Sequence, residues 1–379
     1  MAIPDNVGAK QLDRKLKDSR TGHMAENPFS QPSTLPYQLP PFDRIGNADY
    51  LPAFEQGMSE QRAQVQAIAA NPQRPDFQNT IVALERSGQI LSRVSGAFFN
   101  LNASNTDAQI QEIDSQIAPR LQAHEDAIYL DPALFARVDA VHRNRASAQL
   151  DSESLQLLER YHIEFVRAGA RLSDPDKTRL RELNGQLSSL TTQFKQNVLK
   201  ATRNGAVVVD SVQELEGLSA EQIGAAAAAA EGRGLSGKWL IALQNTTNQP
   251  PLAQLKNRAL RERIYKASTA RGMGPEGQDS DNTAIIAKIV RLRAERAALL
   301  GYSSHAAYQL EDESAGNPGA VHQMLSEMAP VALARAREDA AHLQRLIDAE
   351  AAAAHAPAFE LQPWDWAFYA DKLRKERFD

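Results

Sequence analysis

The chain contains no cysteine, which excludes disulfides and thiolate metal sites. It has no run of 18 apolar residues, so no membrane-spanning helix is expected. It lacks any strong excess of one charge. The formal net charge of -5 gives no electrostatic case for nucleic acid. Signatures of hydrolytic and phosphate chemistry are missing as well. No Gly-x-Ser-x-Gly elbow and no complete Gly-x-x-x-x-Gly-Lys-Ser/Thr loop occurs. A helical zinc site needs two histidines one turn apart, with a glutamate after the first. His124-Glu125-Asp126-Ala127-Ile128 begins that way but places isoleucine where the second ligand belongs, and His342 has Glu338 four residues earlier but no second histidine on that face. The remaining histidines, His23, His142, His162, His305, His322 and His355, are scattered. All eight read as solvated or helix-surface side chains, so no metal or catalytic residue is assigned.

What is present is a composition for packing. The 379 residues are 42% hydrophobic and 23% charged, enough for one large core or two ordinary ones. Residues 1–26 carry Lys10, Arg14, Lys15, Lys17 and Arg20 without an apolar core for a signal peptide. They read as a disordered leader, either natural or cloning-derived, with Gly22-His23-Met24 resembling a junction. From Asn27 to Pro41 prolines at 28, 32, 36, 40 and 41 predict an extended arm. Phe29, Leu35, Tyr37, Leu39 and Phe42 are its expected anchors onto the body.

Helical spacing dominates thereafter. Helices are expected from Asn47 to about Ala70 and from Asp76 to about Asn102. A third starts near Thr106, kinked at Pro119, and others cover 132–145 and 152–172. Asp174-Pro175 is a helix start, and Leu180, Leu183, Leu187, Leu190, Phe194 and Val198 then repeat at three- and four-residue steps. That seam is expected to pack antiparallel on the 152–172 helix. Near 205–243 the runs Ala206–Val209 and Trp239–Leu243 predict two strands flanking a short helix over 219–231. Gly232-Arg233-Gly234-Leu235-Ser236-Gly237 precedes a strand and reads as a turn. Helices resume near 250. Others are expected over Asn282–Leu300 and 303–311, from Asn317-Pro318 to about Ala354 with a bend at Pro330, and from Trp364, with a flexible loop at Gly272–Asp279. The fold class is mainly α, with long antiparallel helical hairpins and a small two-stranded insertion near 205–243.

Arg258, Arg261 and Arg263 cluster beside Tyr265. A guanidinium fork suits a peptide carboxylate, and these four residues are the candidate peptide-binding group. The competing reading is ion pairing within and between helices.

Several stretches, in order and spacing, resemble the amino-terminal half of the thimet oligopeptidase family of zinc metallopeptidases. They are Asn27-Pro28-Phe29, Leu39-Pro40-Pro41-Phe42-Asp43-Arg44-Ile45, Asn257-Arg258 to Ala267, Asp281-Asn282 through Leu299-Leu300-Gly301-Tyr302, and Trp364-Asp365 to Lys372. The bacterial peptidyl-dipeptidase branch is the nearer match, with the oligopeptidase A branch next. The resemblance implies a helical channel wall admitting short peptides, in cytoplasm or periplasm. It also implies a zinc site of His-Glu-x-x-His and a later glutamate, which no residue of this sequence matches. Residues 27–379 are therefore expected to form the channel-wall region of a truncated peptidyl-dipeptidase-like protein, inactive alone and without a cofactor of its own. The alternative is a non-catalytic helical protein that binds peptides or a partner. Self-association through surface left by the missing catalytic half is a further expectation.

Overall fold

A computed structural model describes residues 27–244, 246, 248–274 and 280–378. The expected leader over 1–26, with His23, and most of the Gly272–Asp279 loop lie outside the described residues. The chain divides after Ser173 into two compact units. Its described residues are mainly helical, with one two-stranded antiparallel sheet. No helix among them is long and apolar enough to cross a membrane.

In the first unit, α1 (Asn47–Ala69) starts where the Asp49 carboxylate accepts from the Gly46 N–H at 2.8 Å. Its buried face carries Tyr50, Ala53, Phe54, Gly57 and Met58, then Val65 and Ile68. The 76–102 segment is not the single helix its periodicity suggests. Asp76 caps a π-helical turn, Phe77–Val82, which leads into α2 (Ala83–Glu85). The chain then breaks at Gly88, whose φ is +70°, before α3 (Gln89–Ser104) begins. A positive φ favours glycine, and a side chain there would also meet Gln61 at 2.5 Å. Gly57 allows the close approach of α1 to α3, because a Cβ on it would lie 2.8 Å from the Leu91 backbone nitrogen.

Asp107 caps α4 (Ala108–Tyr129), which runs unbroken through Pro119. Asp131 caps α5 (Pro132–Arg143) and Asp151 caps α6 (Ser152–Arg167). Two cores result. In one, Phe29, Tyr50, Phe54, Phe98, Ile110 and Ile117 interlock, with the Tyr50, Phe54 and Phe98 rings edge to face at 5.1–5.3 Å. In the other, Val65, Ile81, Leu84, Leu134, Leu158 and Phe165 meet. Buried Arg137 fastens the 71–79 connection, donating to the Asn71 carbonyl at 2.7 Å, the Gln73 carbonyl at 3.1 Å and Asn79 Oδ1 at 2.7 Å.

The proline arm differs from expectation. Only Phe29 is an anchor, its carbonyl held by the Arg93 guanidinium at 3.0–3.1 Å. Leu35, Leu39 and Phe42 are exposed and Tyr37 is 98% exposed. The arm is not extended throughout, because a 3-10 helix over Pro36–Gln38 interrupts it, and the other four expected anchors stay outside the cores although Pro41 is buried.

In the second unit, α7 (Asp174–Asn204) buries Leu183 and Leu187 against Ile289 and Leu292 of α11 (Thr283–Leu299). This corrects the expected partner of the leucine seam. Leu158 and Phe165 of the 152–172 segment serve the first unit's own core instead. Asn282 is not a side-chain cap. Its amide donates to the Phe194 carbonyl at 3.1 Å and its oxygen accepts from Asn197 at 3.0 Å.

Strands β1 (Val207–Val209) and β2 (Trp239–Ile241) pair antiparallel in the register Val207 to Ile241 and Val209 to Trp239. Ser219 caps α8 (Ala220–Glu231), whose Ala226 and Ala230 are buried. After α9 (Pro251–Gln254), Asn257 caps α10 (Arg258–Thr269). Val207, Val209, Leu255, Leu260 and Ile264 close this core. The chain then passes through α12 (His305–Leu310) to α13 (Pro318–Ala353), which is continuous through Pro330, and to α14 (Pro363–Phe378). Leu343 and Ile347 of α13 pack on Tyr369 of α14. The stretch of α13 before them is exposed, including Met324, Leu325, Met328, Val331 and Leu333.

Candidate functional site

The candidate peptide-binding residues lie on α10, and α14 crosses that helix. Asn257 sets the register of α10 by accepting the Leu260 N–H at 3.0 Å. One turn apart, Arg258 and Arg261 then share a face and converge on one carboxylate. Asp365 is fully buried and Arg261 is 2% exposed. Arg261 donates to Asp365 Oδ1 at 2.8 Å and to the Leu255 and Lys256 carbonyls at 2.8 and 3.1 Å. Arg258 donates through Nε to both Asp365 oxygens at 3.1 Å and through its terminal nitrogen to Oδ2 at 2.9 Å. The Gln362 N–H adds a further donor at 3.1 Å.

Aromatic rings enclose the charges. The Arg258 guanidinium lies 4.1 Å from the Phe359 ring centre, and that of Arg261 lies 4.3 Å from Phe368. Tyr265 packs on Trp364 at 6.1 Å. Arg263 turns away from this cluster to Glu214 and the Val208 carbonyl. The structure thus brings Arg258 and Arg261 together, places Tyr265 beside them and separates Arg263. All three guanidinium groups already have acceptors, and Arg258 alone of the pair on Asp365 keeps over a third of its side chain in solvent.

Asp365 was missed as a partner because it lies over a hundred residues from the arginines. The available signal was the Trp364-Asp365 pair inside an aromatic run. A carboxylate among aromatics at the start of a helix invites burial beside a cation.

The described histidines do not assemble into a metal centre. His124 Nε2 meets Gln61 Oε1 at 2.7 Å. His142 and His162 stack with ring centres 3.7 Å apart, and their Nε2 atoms face Glu159 at 3.0 Å and Asp139 at 3.2 Å. Burial holds the His162 pKa below the usual imidazole range, although the Asp139 hydrogen bond opposes it. Burial also lowers the His124 pKa, and the charge of Arg62 adds to the shift. Among the described residues, no group of three or more His, Cys, Asp and Glu side chains is placed to hold a metal ion. The donor set present does not fit a zinc ion.

Comparison with known proteins adds what this geometry leaves open. Residues 251–379 match the model of peptidase family M3. The chain is similar to a dipeptidyl carboxypeptidase of Escherichia coli, with 46% identity over 93% of this chain and 51% of that protein. It is similar to a dipeptidyl carboxypeptidase of Salmonella typhimurium at 41% identity, over 94% and 51% respectively. An Escherichia coli oligopeptidase A matches at 27% over 92% and 51%. The chain spans about half the length of these curated relatives.

Proposed function

We propose that the chain is a scaffold of the peptidase family M3 type, similar to a dipeptidyl carboxypeptidase, whose 379 residues are catalytically inactive alone. The observation that carries this reading is the 46% identity along 93% of the chain to a dipeptidyl carboxypeptidase. Two facts about the residues support the inactive half of it. The sequence holds no His-Glu-x-x-His, and its described carboxylates and imidazoles form no ligand set. Metal-assisted hydrolysis needs an ion that polarises the carbonyl and lowers the pKa of a bound water. Among the described residues no side chains are grouped to hold such an ion.

The role left to the chain is to shape a peptide path, with zinc supplied by a catalytic portion of the family type. Within that role, Arg258 is the member of the Asp365 pair with solvent access to meet a peptide carboxylate, whereas the more exposed Arg263 is turned to Glu214. Arg261 acts behind it by holding Asp365. Release of dipeptides from a peptide with a free carboxyl terminus is the test, with the Escherichia coli relative as positive control. No release by the 379-residue chain is expected. Release that disappears on chelation would refute the proposal.

A second reading is favoured by the exposed apolar side chains on α13. Met324, Leu325, Met328 and Val331 lie at three- and four-residue spacing on that helix, and an exposed stripe of this kind suits a partner helix. We propose that it supports self-association of the chain. Light scattering on dilution would show a mass above the monomer that falls as concentration falls, and Met328→Glu would lower it. A monomer at every concentration would remove this reading.

A further inference from the structure

The first unit contains a cavity of about 420 Å³, within the roughly 300–1,000 Å³ range of small-molecule sites. Its walls come from α1, the Leu84–Gly88 corner, α3, α4 and α6. It is independent of the arginine cluster. Leu91, Leu121 and Ile128 supply aliphatic wall, and Phe99, Tyr129, Tyr161 and Phe165 supply aromatic wall.

The charge on this lining has one sign. No lysine or arginine lines the cavity. Both tyrosine hydroxyls donate away to carboxylates, Tyr129 to Glu164 at 3.3 Å and Tyr161 to Glu85 at 2.7 Å. Each phenolic oxygen therefore keeps its lone pairs as acceptor sites. Glu164 is already paired with Arg160 at 2.6 Å. His124 adds no cation, since burial and the Arg62 charge lower its pKa and favour the neutral ring. Glu125 is different. It lines the cavity from an exposed position on α4 and has no hydrogen-bond or ion-pair partner among the described residues. Desolvation against the cavity wall and then the neighbouring Asp126 charge raise its carboxyl pKa, and a cation beside it would offset both.

We propose that this cavity is a binding site for an organic ammonium ion with an apolar body, with the ammonium at Glu125 and the body among Leu91, Phe99, Leu121 and Phe165. Aromatic faces and a carboxylate both attract an ammonium group. The aliphatic and aromatic wall takes the hydrocarbon, and the serine hydroxyls of Ser87, Ser92 and Ser95 offer further acceptors. A neutral ligand of the same shape gains only the apolar part.

The test uses the full chain and 2-phenylethylammonium, titrated near neutral pH and followed by ligand-observed NMR, with 2-phenylethanol as the uncharged match. Saturable binding of the ammonium, about fivefold or more tighter than the alcohol, is expected from the added charge contacts. Glu125→Gln should erase that difference. Ser95→Phe, which fills the cavity from α3, should abolish binding of both, with far-UV circular dichroism checking that each variant is folded. Phenylalanyl-glycine binding as tightly as the amine would assign the ammonium to a peptide amino terminus. Binding of the amine alone would assign it to a free amine, and either upholds the site. Equal affinity for amine and alcohol, an unchanged affinity in folded Glu125→Gln, retained binding in folded Ser95→Phe, or no saturable binding would each overturn it.

Discussion

Replacing Asp365 by leucine should unfold the second unit far more readily than its single position suggests. The carboxylate is fully buried and neutralises Arg261, itself 2% exposed. Arg258 is less dependent, because 37% of its side chain reaches solvent. Removing one partner of a buried pair leaves the other charge in a poor medium and costs about 3–5 kcal/mol. The Gln362 N–H also loses its acceptor, so the upper part of that range is expected. The three tryptophans are Trp239, Trp364 and Trp366, all in the second unit. Their fluorescence during urea titration therefore follows this unit. The informative comparison is Asp365→Leu with Arg261→Met. The double variant removes both buried charges and should recover most of the loss, since apolar replacement of a whole buried pair is often neutral or stabilising. A loss below about 1 kcal/mol in Asp365→Leu would place the pair among weakly contributing surface contacts and refute the argument. A double variant as damaged as the single one would assign the cost to packing rather than charge.

Leu187→Ala should cost about 2–5 kcal/mol, because Leu187 is buried with Leu183, Ile289 and Leu292; the same fluorescence titration measures it, and a change near zero would contradict the seam. Gly88→Ala should destabilise the first unit by about 1–2 kcal/mol from its left-handed backbone alone. It should also disturb the Gln61 contact with His124, since the added Cβ would reach Gln61; circular dichroism melting checks this. Burial comes first among the causes lowering the pKa of His124, His162 and His305. Each proton then binds the unfolded chain more tightly, so these groups favour folding fully above the ordinary imidazole pKa of 6.5. That contribution declines as pH falls below it. Urea midpoints should therefore drop between about pH 7.5 and 5.5, and a midpoint that rises on acidification would contradict the assignment.

The fold was legible where local chemistry decides it. Asp107, Asp131, Asp151 and Ser219 cap helices that begin beside them, and the two apolar runs at 207–209 and 239–241 pair as strands. Sequence spacing could not tell which helix meets which. The leucine seam of α7 meets α11, a helix distant in sequence, because apolar periodicity names a face and not its partner. The 76–102 pattern hid a break, since one glycine interrupts the backbone without interrupting the hydrophobic spacing. The arm erred in the other direction. Proline spacing predicted an extended course, but a 3-10 turn over Pro36–Gln38 with left-handed Tyr37 and Gln38 interrupts it, and burial of Tyr37 required a surface that the described residues do not provide. At the candidate site, Arg258 and Arg261 were visible as a pair one turn apart. Asp365 came from a distant helix with only the surrounding aromatic run as a local signature, and the Glu125 cavity is assembled from four helices that carry no motif.

Zinc stoichiometry tests the central claim most directly. The purified 379-residue chain, equilibrated with zinc and then dialysed against metal-free buffer, is predicted to retain far less than one zinc per chain by elemental analysis. Retention of one tightly held zinc, removed only by a strong chelator, would contradict the account.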